Sequence, residues 1–173
     1  TSVKKYGTGS MYFDGTGSNL NIVSKQILDF GTGDMTIECW AYFNSLSGSV
    51  YSTIASKWIG NQSWIWQTTS TTMLVALGPT ATTFSWSPSI STWYHLAISR
   101  SGTSVKFFVN GVQTGSTATN AGNSSSSSPV AIGINNDGPQ QYLNGYIDDL
   151  RITKGYARYT SNFTPPTAAL PNY

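Results

Sequence analysis

The stretch Trp58-Ile59-Gly60-Asn61-Gln62-Ser63-Trp64-Ile65-Trp66 sets three indoles around a polar loop. A flat ring can stack on the apolar face of a sugar, while amides and hydroxyls take its hydroxyl groups. Trp58, Asn61, Trp64 and Trp66 are therefore the candidate carbohydrate contacts, with Trp86 and Tyr142 as further rings. The competing reading is packing, because tryptophans of β-sandwiches usually fill cores, as Trp40 and Trp93 are expected to do. Exposure of Trp58 or Trp64 decides between the two.

Oxygen-rich positions point to a cation. Calcium takes six to eight oxygens from carboxylates, amides and carbonyls. Asp14, after an early strand, and Asp148 or Asp149, in the last strong strand, could contribute. The alternative is a turn aspartate accepting backbone N–H groups, with Asp149 paired to Arg151 on one strand face. Asn135-Asn136-Asp137 is a second oxygen-rich tip, equally readable as a plain turn.

Catalytic chemistry is poorly supplied. Glycoside hydrolysis normally sets two carboxylates across the scissile bond. Glu38 is the sole glutamate, and Thr36, Trp40 and Tyr42 share its strand face. Asp148 and Asp149 are adjacent and point to opposite faces, so they form no same-strand pair. His95, the sole histidine, reads as a hydrogen-bonded structural residue, and one histidine excludes a histidine-rich metal site. Gly31-Thr32-Gly33-Asp34 lacks the following helix that a phosphate loop requires, so it reads as a turn. Cys39 stands alone in mid-strand, which excludes a disulfide framework and suits a buried structural thiol. No enzyme is expected.

The elements that must position these residues are strands. Trp93–Arg100 and Ser104–Val109 alternate around a glycine-containing turn, and Asn110-Gly111 supplies a second turn. Tyr94, Leu96 and Ile98 share one face, as do Val105, Phe107 and Val109. In Met35–Asn44 the alternation puts Met35, Ile37, Cys39, Ala41 and Phe43 in the core and leaves Glu38 on a partly buried groove face. Asn120–Pro129, with five consecutive serines, reads as a flexible surface loop. About a dozen strands separated by Gly, Pro, Asn and Ser turns, with no convincing helix of ten residues, predict an all-β, antiparallel two-sheet sandwich. The 173 residues make one domain, with a core over residues 10–155 and a wrapping tail over 156–173, where Pro165-Pro166 forbids ladder pairing.

Charged residues are 9% and the net charge is +2, too little for an electrostatic grip on nucleic acid. No apolar run approaches a membrane span. Thr1-Ser2-Val3-Lys4-Lys5 carries no secretory apolar core, which leaves a removed signal, a piece of a larger protein, or another export route. Ser, Thr, Asn and Gly dominate the polar residues, a composition suited to an extracellular or virion protein. Sequons at Asn61, Asn123 and Asn162 are close to chance in so Ser- and Asn-rich a chain.

Phe13-Asp14-Gly15, Met35-Thr36-Ile37-Glu38-Cys39-Trp40, Trp93-Tyr94-His95-Leu96-Ala97, Val109-Asn110-Gly111, Ile132-Gly133 and Gly145-Tyr146-Ile147-Asp148-Asp149-Leu150-Arg151-Ile152 resemble, in order and spacing, the laminin-G-like domains of the concanavalin A-like lectin and glucanase superfamily. The resemblance covers residues 10–155. It implies a jelly-roll β-sandwich, a non-catalytic role towards carbohydrate or protein, and often a bound calcium ion. It also implies that the terminal strands pair, which would bring Asp14 towards Asp148 as metal ligands. The superfamily holds hydrolases and lyases too, and fold does not fix function. The tail Arg158-Tyr159-Thr160-Ser161-Asn162-Phe163-Thr164-Pro165-Pro166 resembles the ending of such domains in bacteriophage tail and virion proteins. The expectation is a carbohydrate-binding, host-surface adhesion module of a phage virion or tail appendage, its partners a cell-surface glycan or polysaccharide and other virion proteins. The alternative is a structural decoration domain that binds proteins and no sugar.

Overall fold

The computed structural model describes residues 2–23, 26–135, 137 and 141–171. The strands are β1 (Met11–Asp14), β2 (Leu20–Ile22), β3 (Met35–Phe43), β4 (Ser52–Ser56), β5 (Trp64–Thr68), β6 (Thr72–Leu77) and β7 (Thr80–Ser85), followed by β8 (Trp93–Ser101), β9 (Ser104–Val109), β10 (Val112–Gln113), β11 (Ala118–Thr119), β12 (Val130–Ile132) and β13 (Asn144–Lys154). A 3-10 turn, Gln26–Leu28, lies between β2 and β3. One sheet has the order β1-β13-β3-β8-β9-β10, with β11 also on β9; the other has the order β2-β12-β4-β5-β6-β7. All pairings are antiparallel. The two sheets face each other as a jelly-roll β-sandwich, the expected architecture.

Alternation explains the core. Met35, Ile37, Cys39, Ala41 and Phe43 of β3 lie in it with Leu96 and Ile98 of β8 and Val105 and Phe107 of β9. Across from them sit Ile54, Trp64, Trp66, Met73, Val75 and Leu77 of the second sheet. Every second residue of each strand turns inward, so one apolar set per strand closes the space between the sheets. Cys39 is fully buried, and burial, with Glu38 beside it, pushes its thiol far above the ordinary value. It is inert packing.

The outer face of the first sheet is covered around Glu38, His95 and Phe108. The chain after β13 straps across it, and Tyr159 and Phe163 stack at 3.5 Å over this face, edge-on to His95 and Phe108. The Phe163 N–H donates to the Gly111 carbonyl, and the Arg158 N–H to Thr36 Oγ1. Gly111 has φ +81°, and a Cβ there would lie 2.0 Å from the Phe163 carbonyl oxygen, so the turn must be glycine for the strap to seat. The N-terminal segment joins it: Tyr6 sits edge-on to Trp40, its hydroxyl donates to the Pro166 carbonyl, and the Lys5 ammonium lies 3.8 Å from the Trp40 ring. The partly buried groove expected at Glu38 is thus a closed second layer. Residues 172 and 173 of the tail lie outside the described residues.

Two buried cations organise the opposite end. Arg100 donates to the carbonyls of Gly31, Gly33 and Gly122. The glycine-rich turn therefore presents carbonyls to a guanidinium, not N–H groups to a phosphate. Lys57 lies 2.8 Å from Asp29 Oδ1 and donates to the Ser126 carbonyl. The Ser126 N–H donates to Asp29 and its hydroxyl to the Lys57 carbonyl. Ser63 donates to the Ser124 carbonyl and Ser128 to that of Trp58. The serine run expected to be a free loop is held down, because a buried lysine and a carboxylate supply the partners its backbone needs.

Candidate functional site

The tryptophan segment does not form a surface. Trp64 and Trp66, two residues apart on β5, point the same way, and that way is the core, where both are fully buried. The Trp64 indole donates to the Leu28 carbonyl and stacks on Phe30, and that of Trp66 donates to Met73 Sδ. Neither has a face left for a sugar. Trp86, near-buried, packs on Phe43, Tyr94 and Phe107. Trp58 is half-buried, and Asn61 is exposed at φ +60° in the turn that follows. The four expected carbohydrate contacts are therefore divided between core and surface.

Nor do the expected calcium ligands converge. β1 does pair with β13, but Asp14 lies opposite Asn144, four residues short of Asp148. At roughly 3.3 Å per residue that is about 13 Å along the strand. Asp14 Oδ1 accepts the N–H groups of Thr16, Gly17 and Ser18. Asp148 Oδ2 accepts those of Lys5 and Tyr6, and Oδ1 that of Asp149. Asp149, at φ +50° in a bulge, accepts the Leu170 N–H. These carboxylates accept backbone N–H groups at turns and chain ends. Among the described residues no three His, Cys, Asp or Glu side chains cluster as metal ligands. Asn135 Oδ1 accepts the Asp137 N–H, and Asp137 accepts that of Gly60 from the loop after β4; Asn136 lies outside the described residues.

Backbone donors from Ser18, Thr16 and Gly17 hold the Asp14 carboxyl far below its ordinary range. The carboxylate's contribution to the turn is then complete above the ordinary Asp range and lost as pH falls through its lowered value. Two results are expected. Asp14→Asn should speed amide exchange at Thr16, Gly17 and Ser18, and excess chelator should leave the wild-type melting temperature unchanged. A chelator-induced drop would place a cation on this chain, since a ligand held only by the native state must stabilise it.

The acid-base groups are closed off. Glu38 is fully buried and accepts from Arg151 Nε at 2.8 Å, Arg151 Nη2 at 2.7 Å, the Tyr159 hydroxyl at 2.7 Å and His95 Nε2 at 3.2 Å. Burial alone would raise its carboxyl; the bonds from His95, Tyr159 and Arg151 outweigh that and hold it below the ordinary range. The expected Asp149–Arg151 pair gives way to Arg151–Glu38. His95 lies buried beneath Tyr159 and Phe163, its Nε2 on Glu38.

An open site lies at the end of the sandwich away from Trp58. Three connections meet there: the turn after β1, the loop between β3 and β4, and the approach to β13. They enclose a cavity of about 220 Å³ lined by Ser45, Ser47, Tyr51, Ser52, Tyr142 and Asn144, with Gly15, Leu46 and Val50. Gly15 has φ +79°, and a Cβ there would meet the Asn144 side chain at 2.9 Å. Asn144 Nδ2 donates to Ser45 Oγ at 3.0 Å, and its Oδ1 accepts from Asn44 at 3.1 Å. Ser47 Oγ accepts the N–H groups of Ser49 and Val50. Hydroxyls, an amide and two phenol rings thus line a cavity with no charged wall, a set matched to a neutral polyhydroxylated molecule. Of these residues only Tyr142 was a candidate sugar contact in the sequence. A larger cavity of about 430 Å³, lined by Met11, Phe13, Leu20, Ile132, Ile147 and Leu150, opens beside Asp148 and Asp149, but their carboxylates are already engaged.

Residues 13–158 match the family model Laminin_G_3, described as the concanavalin A-like lectin/glucanases superfamily. The sequence matches no curated protein at a significant level. Among solved structures, the chain is similar to domain 4 of AbnA, an extracellular arabinanase of Geobacillus stearothermophilus in complex with arabinotriose, with TM-score 0.62 and 19% identity over 87% of this chain and 78% of that one. It is similar to domains LG4-5 of the mouse laminin alpha1 chain, with TM-score 0.61 and 14% identity over 94% of this chain and 47% of that one. It is also similar to botulinum neurotoxin type C, whose cell entry depends on interaction with two ganglioside molecules, with TM-score 0.55 and 18% identity over 72% of this chain and 33% of that one. At such identities the likeness concerns the fold.

Proposed function

This chain belongs to the concanavalin A-like lectin/glucanases superfamily, and from that premise we propose that it is a non-catalytic glycan-binding module. The neutral cavity between Tyr51, Tyr142 and Asn144 carries the reading. Two rings can cover the apolar face of a sugar while the serine hydroxyls and the amide take its hydroxyl groups. The arabinanase domain that holds arabinotriose and the neurotoxin that engages gangliosides support it as relatives in fold. Catalysis has no place in the reading, because the one carboxylate–imidazole–phenol cluster, at Glu38, His95 and Tyr159, lies under the strap.

The finer reading is host-surface adhesion by a bacteriophage virion or tail appendage. It rests on the tail Arg158–Pro166 and on a low-charge surface rich in Ser, Thr, Asn and Gly. A single small pocket binds weakly, about millimolar to micromolar or −4 to −8 kcal/mol, and display of many copies raises the avidity. The test is a glycan array probed with multivalently displayed protein. Wild type is expected to give hits on a related glycan set, and Tyr142→Ala, verified as folded by circular dichroism, is expected to weaken them tenfold or more. Hits that persist unchanged in both Tyr51→Ala and Tyr142→Ala place recognition elsewhere.

One observation favours a second reading, a structural domain making protein contacts. Met11, Tyr12, Leu20 and Ile22 are exposed on β1 and β2, edge strands of the two sheets, and the 430 Å³ cavity takes Met11 and Leu20 into its lining. Apolar clustering of this kind marks interaction surfaces. A blank array from folded protein would shift the assignment to this edge.

A further inference from the structure

We infer that the cavity takes one neutral sugar residue at the terminus of a glycan, end-on, and not the interior of a polysaccharide chain. The inference rests on the glycan-binding reading and narrows it. Three observations carry it.

The first is the state of the two sheet faces. A polysaccharide bound through its interior must lie along a groove open at both ends. On the first sheet Glu38, His95 and Phe108 are buried, with Tyr159 and Phe163 over His95 and Phe108, while the outward ring row Tyr12, Tyr146, Tyr42 and Trp93, nearer the cavity end, stays partly exposed. On the second sheet the outward positions of β4 and β5 are buried as well. Thr53, Ile65 and Gln67 lie there, and Ile134, Asn135 and Gln141 bond to this strip. Ser56 Oγ donates to the Ile134 carbonyl, the Thr53 N–H to the Gln141 carbonyl, and Gln67 Nε2 to Thr53 Oγ1 and Gln141 Oε1. Asn135 completes the row by donating to Gln141. These bonds tie the strip to the chain, so a sugar chain lying on them would have to displace protein bonds.

The second is size. At about 220 Å³ the cavity falls below the roughly 300–1,000 Å³ of sites that enclose drug-sized ligands. That suits one monosaccharide. Its walls come from three separate connections at one end of the sandwich.

The third is charge. No lining residue is ionised, and Asp14 stands one position from Gly15 in the wall, its carboxylate kept charged by three backbone donors. A uronate or sialate carboxylate would find no cation and a nearby like charge. A neutral pyranose or furanose meets hydroxyls, an amide and two rings.

The experiment has two stages on the full chain. Multivalent protein is first applied to an array of glycans ending in neutral hexose, pentose and deoxyhexose residues, or in uronate and sialate residues. The hits are then reprobed after trimming by exoglycosidases and in competition with methyl glycosides of the terminal sugar. Expected are hits that share one neutral terminal residue, loss of more than 90% of the signal on trimming, and inhibition by the methyl glycoside within about threefold of the whole oligosaccharide per mole. Ser45→Tyr, which fills the mouth at an exposed position, is expected to abolish binding with the melting temperature unchanged. Hits that survive trimming, or need three or more sugars for any inhibition, overturn end-on recognition while leaving glycan binding intact. Selective hits on uronate or sialate termini overturn neutrality. Binding that survives Ser45→Tyr overturns the cavity as the site. A blank array from folded protein overturns this inference together with the reading beneath it.

Discussion

Glu38→Ala is expected to cost about 3–5 kcal/mol, the loss typical of removing one partner from a buried ion pair. The cost arises less from the pair itself than from what is left behind. Arg151 loses two hydrogen bonds, and the Tyr159 hydroxyl and His95 Nε2 lose their acceptor in a closed space. For a chain of this size the melting temperature should fall on the order of 10 °C. Tyr159 also belongs to the strap, so the variant should show faster amide exchange over residues 156–166 than over the β3–β8 ladder. Glu38→Gln separates charge from shape. It keeps one acceptor and the volume, so it should cost less and retain the strap. Its pH profile is the sharper readout. The Glu38 carboxyl is held below its ordinary value, so its contribution is whole above the ordinary Glu range and is lost as pH falls through the lowered value. Wild type should therefore lose stability at acid pH more steeply than Glu38→Gln. Superimposable acid profiles would show that the carboxylate charge contributes nothing there.

The same residue shows how far the sequence could be read. Alternation in Met35–Phe43 separates the core set from Thr36, Glu38, Trp40 and Tyr42, and the structure keeps that division. Alternation names a face but not what covers it. Covering Glu38 took contacts from Arg151 and Tyr159, both more than a hundred residues away. The Trp93–Gly111 meander was legible for a related reason: its pairings are local, and the Gly102 and Asn110-Gly111 turns set the register. Lys57 and Arg100 were not legible, since a charged residue at the end of a strand pattern reads as surface until its partners are known. Their partners are an aspartate and a set of carbonyls from distant turns. The cavity was hidden for the same reason, because Gly15, Ser45–Ser52 and Tyr142–Asn144 meet through topology and share no motif. Asp14 and Asp148 were read as meeting because their strands pair, and those strands do pair. Register, which pairing alone does not specify, sets the two about 13 Å apart.

Trp66→Ala is expected to cost about 3–5 kcal/mol, as large-to-small changes of buried tryptophans do. The side chain is fully buried between the sheets, and its loss leaves a cavity that strands pinned by their ladders cannot collapse around. Trp66→Phe should cost clearly less, since the ring retains most of the volume and only the bond to Met73 Sδ is given up. The Phe variant matters for function. In the sequence Trp66 belongs to an indole-rich polar loop, and as a sugar platform its loss would weaken glycan binding. In the structure Trp64 and Trp66 obey the two-residue period of β5, which turns both inward while Ile65 and Gln67 turn outward. Periodicity within a strand therefore overrides local composition as a guide to where a side chain points. Glycan binding by Trp66→Phe should equal that of wild type at a temperature where both are folded, while Tyr142→Ala loses it. If Trp66→Phe loses binding with its melting temperature preserved, the indole faces ligand and the placement of β5 in the core is wrong.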